Sequence, residues 1–127
     1  MANAKIVRYW REGAEEAWKT VTILLRSRQY VHALFFTHLA LEKFLKAIVL
    51  ERRGTVPPPV HDLVYLARAA GIKLSDGQRD DLATITTFNI AGRYEDEKAA
   101  FRKKARAAYV RVWVRKAQTL YRGLGSR

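Results

Sequence analysis

Residues 31–50 read VHALFFTHLALEKFLKAIVL, and no other stretch constrains the fold as much. The segment is apolar nearly all round a helix, so other elements must enclose it on several sides. Gly54 and the triplet Pro57-Pro58-Pro59 end it, because proline lacks the backbone donor and restricts the residue before it. No uninterrupted apolar run approaches the ~18 residues that a membrane span needs.

The remaining sequence supplies the enclosing helices. Ile6, Trp10, Ala14, Ala17, Val21 and Leu25 recur at steps of three or four, which predicts a first helix over about 4–26. The apolar helix itself is predicted over about 29–53. A short third helix is expected from His61-Asp62 to Gly71, with glycine as its C-terminal stop. Ser75 followed by Gln78 reads as a capping box opening a fourth helix, which carries Leu82, Ile85 and Phe88 and ends near Asn89. A loop over 90–96 leads to a long fifth helix over about 97–122. Its expected apolar side is Phe101, Ala105, Ala108, Val112, Trp113, Leu120 and Tyr121. The expectation is an all-α up-and-down bundle of three long and two short helices, with residues 1–127 as one domain and 123–127 as a frayed tail.

Charge and composition narrow the function classes. The chain of 127 residues carries 24 Lys or Arg against 12 Asp or Glu, a net charge of +12, which suits an anionic partner or a solubilising basic surface. There is no cysteine, which excludes disulfides, thiolate metal sites and a cysteine nucleophile. With three histidines and no cysteine, neither a metal nor a cofactor is expected. Lys5 and Arg8 interrupt the opening residues, so no signal peptide is read there and a soluble cytoplasmic protein is expected. From Lys98 to Arg127 there are ten Lys or Arg and no acid. Within that stretch Lys104, Arg111, Arg115 and Arg122 form a row that could follow a phosphate backbone or serve only as a solvated face.

Polar residues inside the apolar helix are the candidate site. His38, Glu42 and Lys46 stand four apart and share one side. They read either as a Glu42–Lys46 ion pair capped by His38 or as a polar cleft for a ligand. Asp62 suits an N-cap for the third helix, and His61 is either its neighbour or a catalytic imidazole. Asn89, Arg93 and Tyr94 cluster in the later loop, where Arg93 offers a planar fork for phosphate or carboxylate. No P-loop, dinucleotide fingerprint or HExxH motif is present.

Three segments in order carry a resemblance: Ala33-Leu34-Phe35-Phe36 leading into His38 through Ala47, Pro57-Pro58 before His61-Asp62-Leu63, and Phe88-Asn89-Ile90 before Arg93-Tyr94. Over about Val7 to Leu124 the chain resembles a stand-alone HEPN domain. The resemblance implies a helical bundle, commonly a homodimer, often paired with a minimal nucleotidyltransferase and in some cases forming a toxin–antitoxin module. Some such domains bind nucleotides or RNA. Others are metal-independent ribonucleases that use Arg, four to six residues, then His. Here the one match to that motif is Arg26 to His32, at the junction of the first two helices, and no His follows Arg93. Three readings follow. The first is an accessory protein in which Lys43, Lys46 and Arg93 contact phosphate, His38 and His61 hydrogen-bond the ligand or the polar seam itself, Glu42 anchors Lys46, and Asn89 and Tyr94 complete the site. The second is an endoribonuclease using His38 or His61 with Arg93. The third is a dimeric module whose polar seam is a subunit contact.

Overall fold

The computed structural model describes residues 2–125. Six helices follow one another: α1 (Ala2–Arg26), α2 (Tyr30–Arg53), α3 (Leu63–Ala69), α4 (Asp76–Thr86), α5 (Glu95–Lys104) and α6 (Ala107–Gly125). Among the described residues there is no strand, and no helix is long and apolar enough to cross a membrane. The expected all-α bundle is present, with one more helix than the sequence suggested.

Helix α2 is the axis. It packs against α1, α3, α4 and α6, which explains why its apolar residues surround it. Leu34, Leu41 and Leu45 are fully buried along it, and truncating such a residue to Ala costs about 2–5 kcal/mol. Helix α1 runs antiparallel to α2: Arg11 pairs with Glu51 at 3.0 Å, and Gly13 lies against Lys43. The turn between them is a Schellman closure. Gln29 N–H donates to Leu24 O and Arg28 N–H to Leu25 O, while Arg28 adopts φ +57° where glycine is usual. Helix α2 ends at Gly54 (φ +67°), whose N–H donates to Leu50 O. Asp62 caps α3 by accepting from Val64 N–H and Tyr65 N–H, and Ser75 with Gln78 forms the capping box of α4.

The expected fifth helix is instead two. Ala105 takes φ −78° and ψ 63°, and Arg106 N–H donates to Lys104 O, which is an inverse γ-turn. Side-chain phase explains the break. At about 100° per residue, a continuous helix would point Phe101 and Val110 to opposite sides. Both are buried: Phe101 stacks near Phe88 at 5.9 Å, and Val110, Val114, Ala117, Leu120 and Leu124 form the inner face of α6. Breaking the helix lets both faces turn inward. It also corrects the expected apolar side, since Ala108 and Val112 face solvent. Lys104 belongs to α5, so it does not continue the row of Arg111, Arg115 and Arg122 on α6. Helix α4 stops at Thr86 and continues as tighter turns through Asn89, three residues short of its expected length. Nor does residue 123 begin a frayed tail: α6 continues to Gly125 because Leu124 is fully buried and Gly125 meets Phe44. Residues 126 and 127 of that expected tail lie outside the described residues.

Candidate functional site

Two places concentrate chemistry. The first is the polar side of α2. His38, Glu42 and Lys46 are 1%, 5% and 7% exposed, and the Pro-rich turn brings His61 onto them. Glu42 is the hub. Its Oε1 accepts from His61 Nδ1 at 2.8 Å and its Oε2 from Lys46 Nζ at 3.1 Å. Lys46 also lies over the Trp10 ring at 5.5 Å, a cation–π contact. His38 donates from Nε2 to the His61 carbonyl at 3.0 Å, and its buried Nδ1 has no hydrogen-bond partner among the described residues. Burial therefore holds the His38 ring below its ordinary pKa of 6.5, against the opposing pull of the His61 carbonyl and the Glu42 carboxylate. The neutral ring ties α2 to the backbone at His61.

The ion pair expected between Glu42 and Lys46 is present, with His61 added to it. Glu42 and Lys46 are buried and engage each other, so Lys46 Nζ is held between the Glu42 carboxylate and the Trp10 ring. His61 differs: its side chain is 63% exposed. With Nδ1–H committed to Glu42, the neutral ring would leave Nε2 as an acceptor on an exposed side chain. A carboxylate-fixed tautomer of this kind is what proton transfer by imidazole requires.

The second place is an open cleft of about 740 Å³ between the α1–α2 turn and α5. Tyr30, Val31, Phe35 and Ile90 supply an apolar wall, and Arg28, His32, Lys98 and Arg102 supply cationic or imidazole groups. Glu95 is the one acid in its lining and stands 3.9 Å from Lys98. Gln29, the N-cap of α2, makes no side-chain cap hydrogen bond and lines the cleft, so the cleft adjoins a helix N-terminus, where the dipole favours an anion. An aromatic wall beside several cations suits a base stacked next to its phosphates. Phe35 joins the two places: its ring is 6.5 Å from that of His38, which is 6.4 Å from that of His61.

The other expected site residues are dispersed. Lys43 leans on Gly13 of α1, in a small pocket with Glu12 and Glu16. Asn89 accepts from Ala91 N–H and shapes the loop after α4. Arg93 is half-buried in the same loop, and Tyr94 is exposed at the start of α5. Neither Arg93 nor Tyr94 lines the cleft. Nor does Arg26, so the Arg26–His32 spacing contributes only its histidine there. Sequence reasoning missed Arg28, Lys98 and Arg102. The signal it left unused is the interleaving of Arg28, Tyr30, His32 and Phe35 at the start of the apolar helix. Among the described residues no group of three or more His, Asp or Glu is placed to hold a metal ion.

A comparison with curated proteins finds no match, and a comparison with solved structures finds none. A family model described as "HEPN domain" matches residues 7–121, nearly the whole chain, and the all-helical bundle agrees with it. The chain belongs to the HEPN domain family.

Proposed function

We propose that this HEPN protein binds a nucleotide or RNA in the cleft beside the α1–α2 turn. It would act as the accessory half of a two-component system with a minimal nucleotidyltransferase, of the toxin–antitoxin kind, and as a homodimer. The family supports a nucleotide- or RNA-related role. The observation that carries the choice of site is the grouping of Arg28, Lys98 and Arg102 around Tyr30 and Phe35 in one open cleft. Arginine forks hold phosphate oxygens, and an aromatic wall offers a face to a base. The test is titration with nucleoside triphosphates and short single-stranded RNA at low and moderate salt. Saturable binding that weakens at least tenfold in Arg102→Ala, and falls with salt, supports the reading. No saturable binding of either ligand removes it. Sedimentation of the purified chain checks the dimer.

One observation favours a second reading, a metal-independent endoribonuclease. Glu42 holds the exposed His61 by its Nδ1, the arrangement of a general base for a ribose 2′-hydroxyl. This reading expects cleavage in the presence of chelator that leaves a cyclic phosphate end. Cleavage unchanged in both His61→Ala and His38→Ala would count against it.

A further inference from the structure

On another face a groove of about 500 Å³ runs between α4 and α6. It exists because of the break at Ala105. The rephasing of α6 that buries Val110 and Val114 turns Val112 outward, where it is 50% exposed. Val112 and Leu120 supply a mostly apolar floor, and Arg115 and Lys116 stand at its edge. Between Ala107 and Gly125, α6 carries Arg111, Arg115, Lys116 and Arg122 and no acid. Lys116 is partly occupied, at 3.5 Å from Asp81 and 4.9 Å over the Trp113 ring. Among the described residues no ion pair involves Arg111, Arg115 or Arg122.

We infer that this groove docks an acidic amphipathic helix of a protein partner, its apolar side chains over Val112 and Leu120 and its carboxylates against Arg111, Arg115 and Arg122. Charge complementarity selects an acidic partner. An apolar floor selects a protein over nucleic acid, because a phosphate backbone gains nothing from Val112. Among the described residues that line the groove none is aromatic, so it offers no ring for a base to stack on. The spacing selects a helix. Arg111, Arg115 and Arg122 recur at steps of four and seven, and span about 16 Å along α6, the length of three turns of a partner. This surface is separate from the nucleotide cleft and stands whether or not that cleft binds.

The experiment uses the full chain and a fluorescein-labelled 18-residue helical peptide with Leu on one face and Glu on the other. Two further probes are the same peptide with Lys in place of Glu and a single-stranded RNA 12-mer. Saturable binding of the Glu peptide, none of the Lys peptide, and no displacement by the RNA are expected. Val112→Asp and Arg115→Glu should each weaken binding at least tenfold, with unchanged circular dichroism because both positions are exposed. Nucleotide titration of Val112→Asp should match wild type, which separates this surface from the cleft. The inference is overturned by no saturable binding of the Glu peptide, by unchanged affinity in both variants, or by displacement of the peptide by RNA.

Discussion

Replacing Glu42 tests whether the polar side of α2 is a self-contained unit. The carboxylate meets Lys46 at 3.1 Å and His61 at 2.8 Å while only 5% exposed. Glu42→Leu keeps the approximate volume and removes both contacts. The Lys46 ammonium would then remain buried, with only the Trp10 face at 5.5 Å to offset its lost hydration. A cation–π contact contributes about 0.5–2 kcal/mol, whereas removing one partner of a buried ion pair costs about 3–5 kcal/mol. Desolvation therefore wins, and Glu42→Leu should lose about 3 kcal/mol. That is a large share of the roughly 5–15 kcal/mol that holds an ordinary domain folded. The double variant Glu42→Leu/Lys46→Met replaces the pair with apolar groups and should return to within about 1 kcal/mol of wild type. Urea unfolding followed by circular dichroism reads both, and a loss of 3 kcal/mol moves the midpoint by more than about 1 M at usual denaturant slopes. The reasoning fails if Glu42→Leu costs under about 1 kcal/mol, or if the double variant is as unstable as the single one.

Arg28→Gly should relieve left-handed strain of about 1–2 kcal/mol, offset by about 0.4–1 kcal/mol of extra freedom in the unfolded chain. The variant should therefore unfold at equal or slightly higher urea, while nucleotide affinity in the cleft drops about tenfold. Lower stability with unchanged affinity would contradict both assignments. Because burial depresses the His38 pKa, the unfolded chain takes up a proton below about pH 6.5 that the native ring resists. This contribution to stability is complete above pH 6.5 and is lost as pH falls toward the folded value, at no more than about 1.4 kcal/mol per pH unit. His38→Gln should flatten that acid limb in urea unfolding from pH 7.5 to 4.5, and an unchanged difference between the two proteins across that range would refute it. Asp62→Ala removes the acceptor for Val64 N–H and Tyr65 N–H and should cost about 1 kcal/mol in thermal unfolding, a change under 0.3 kcal/mol being the contrary result.

Local chemistry made much of the fold readable. The apolar circumference of residues 31–50 required a central helix, Gly54 and the prolines ended it, and Ser75 with Gln78 opened α4, since each signal acts over a single turn. The Glu42–Lys46 pair was readable for the same reason, because residues four apart share a helix face. Longer-range packing decided the rest. Residues 97–122 contain neither glycine nor proline, and nothing local breaks them at Ala105. The break comes from the need to bury Phe101 and Val110 in one core although they point opposite ways on a continuous helix. That same break exposes Val112. His61 reaches Glu42 only because the proline turn folds back on α2, and Arg28, Lys98 and Arg102 share a cleft only because α5 packs near the start of α2. Sequence spacing reports neighbours within a helix. Which helices meet is set by how their apolar faces can be enclosed together.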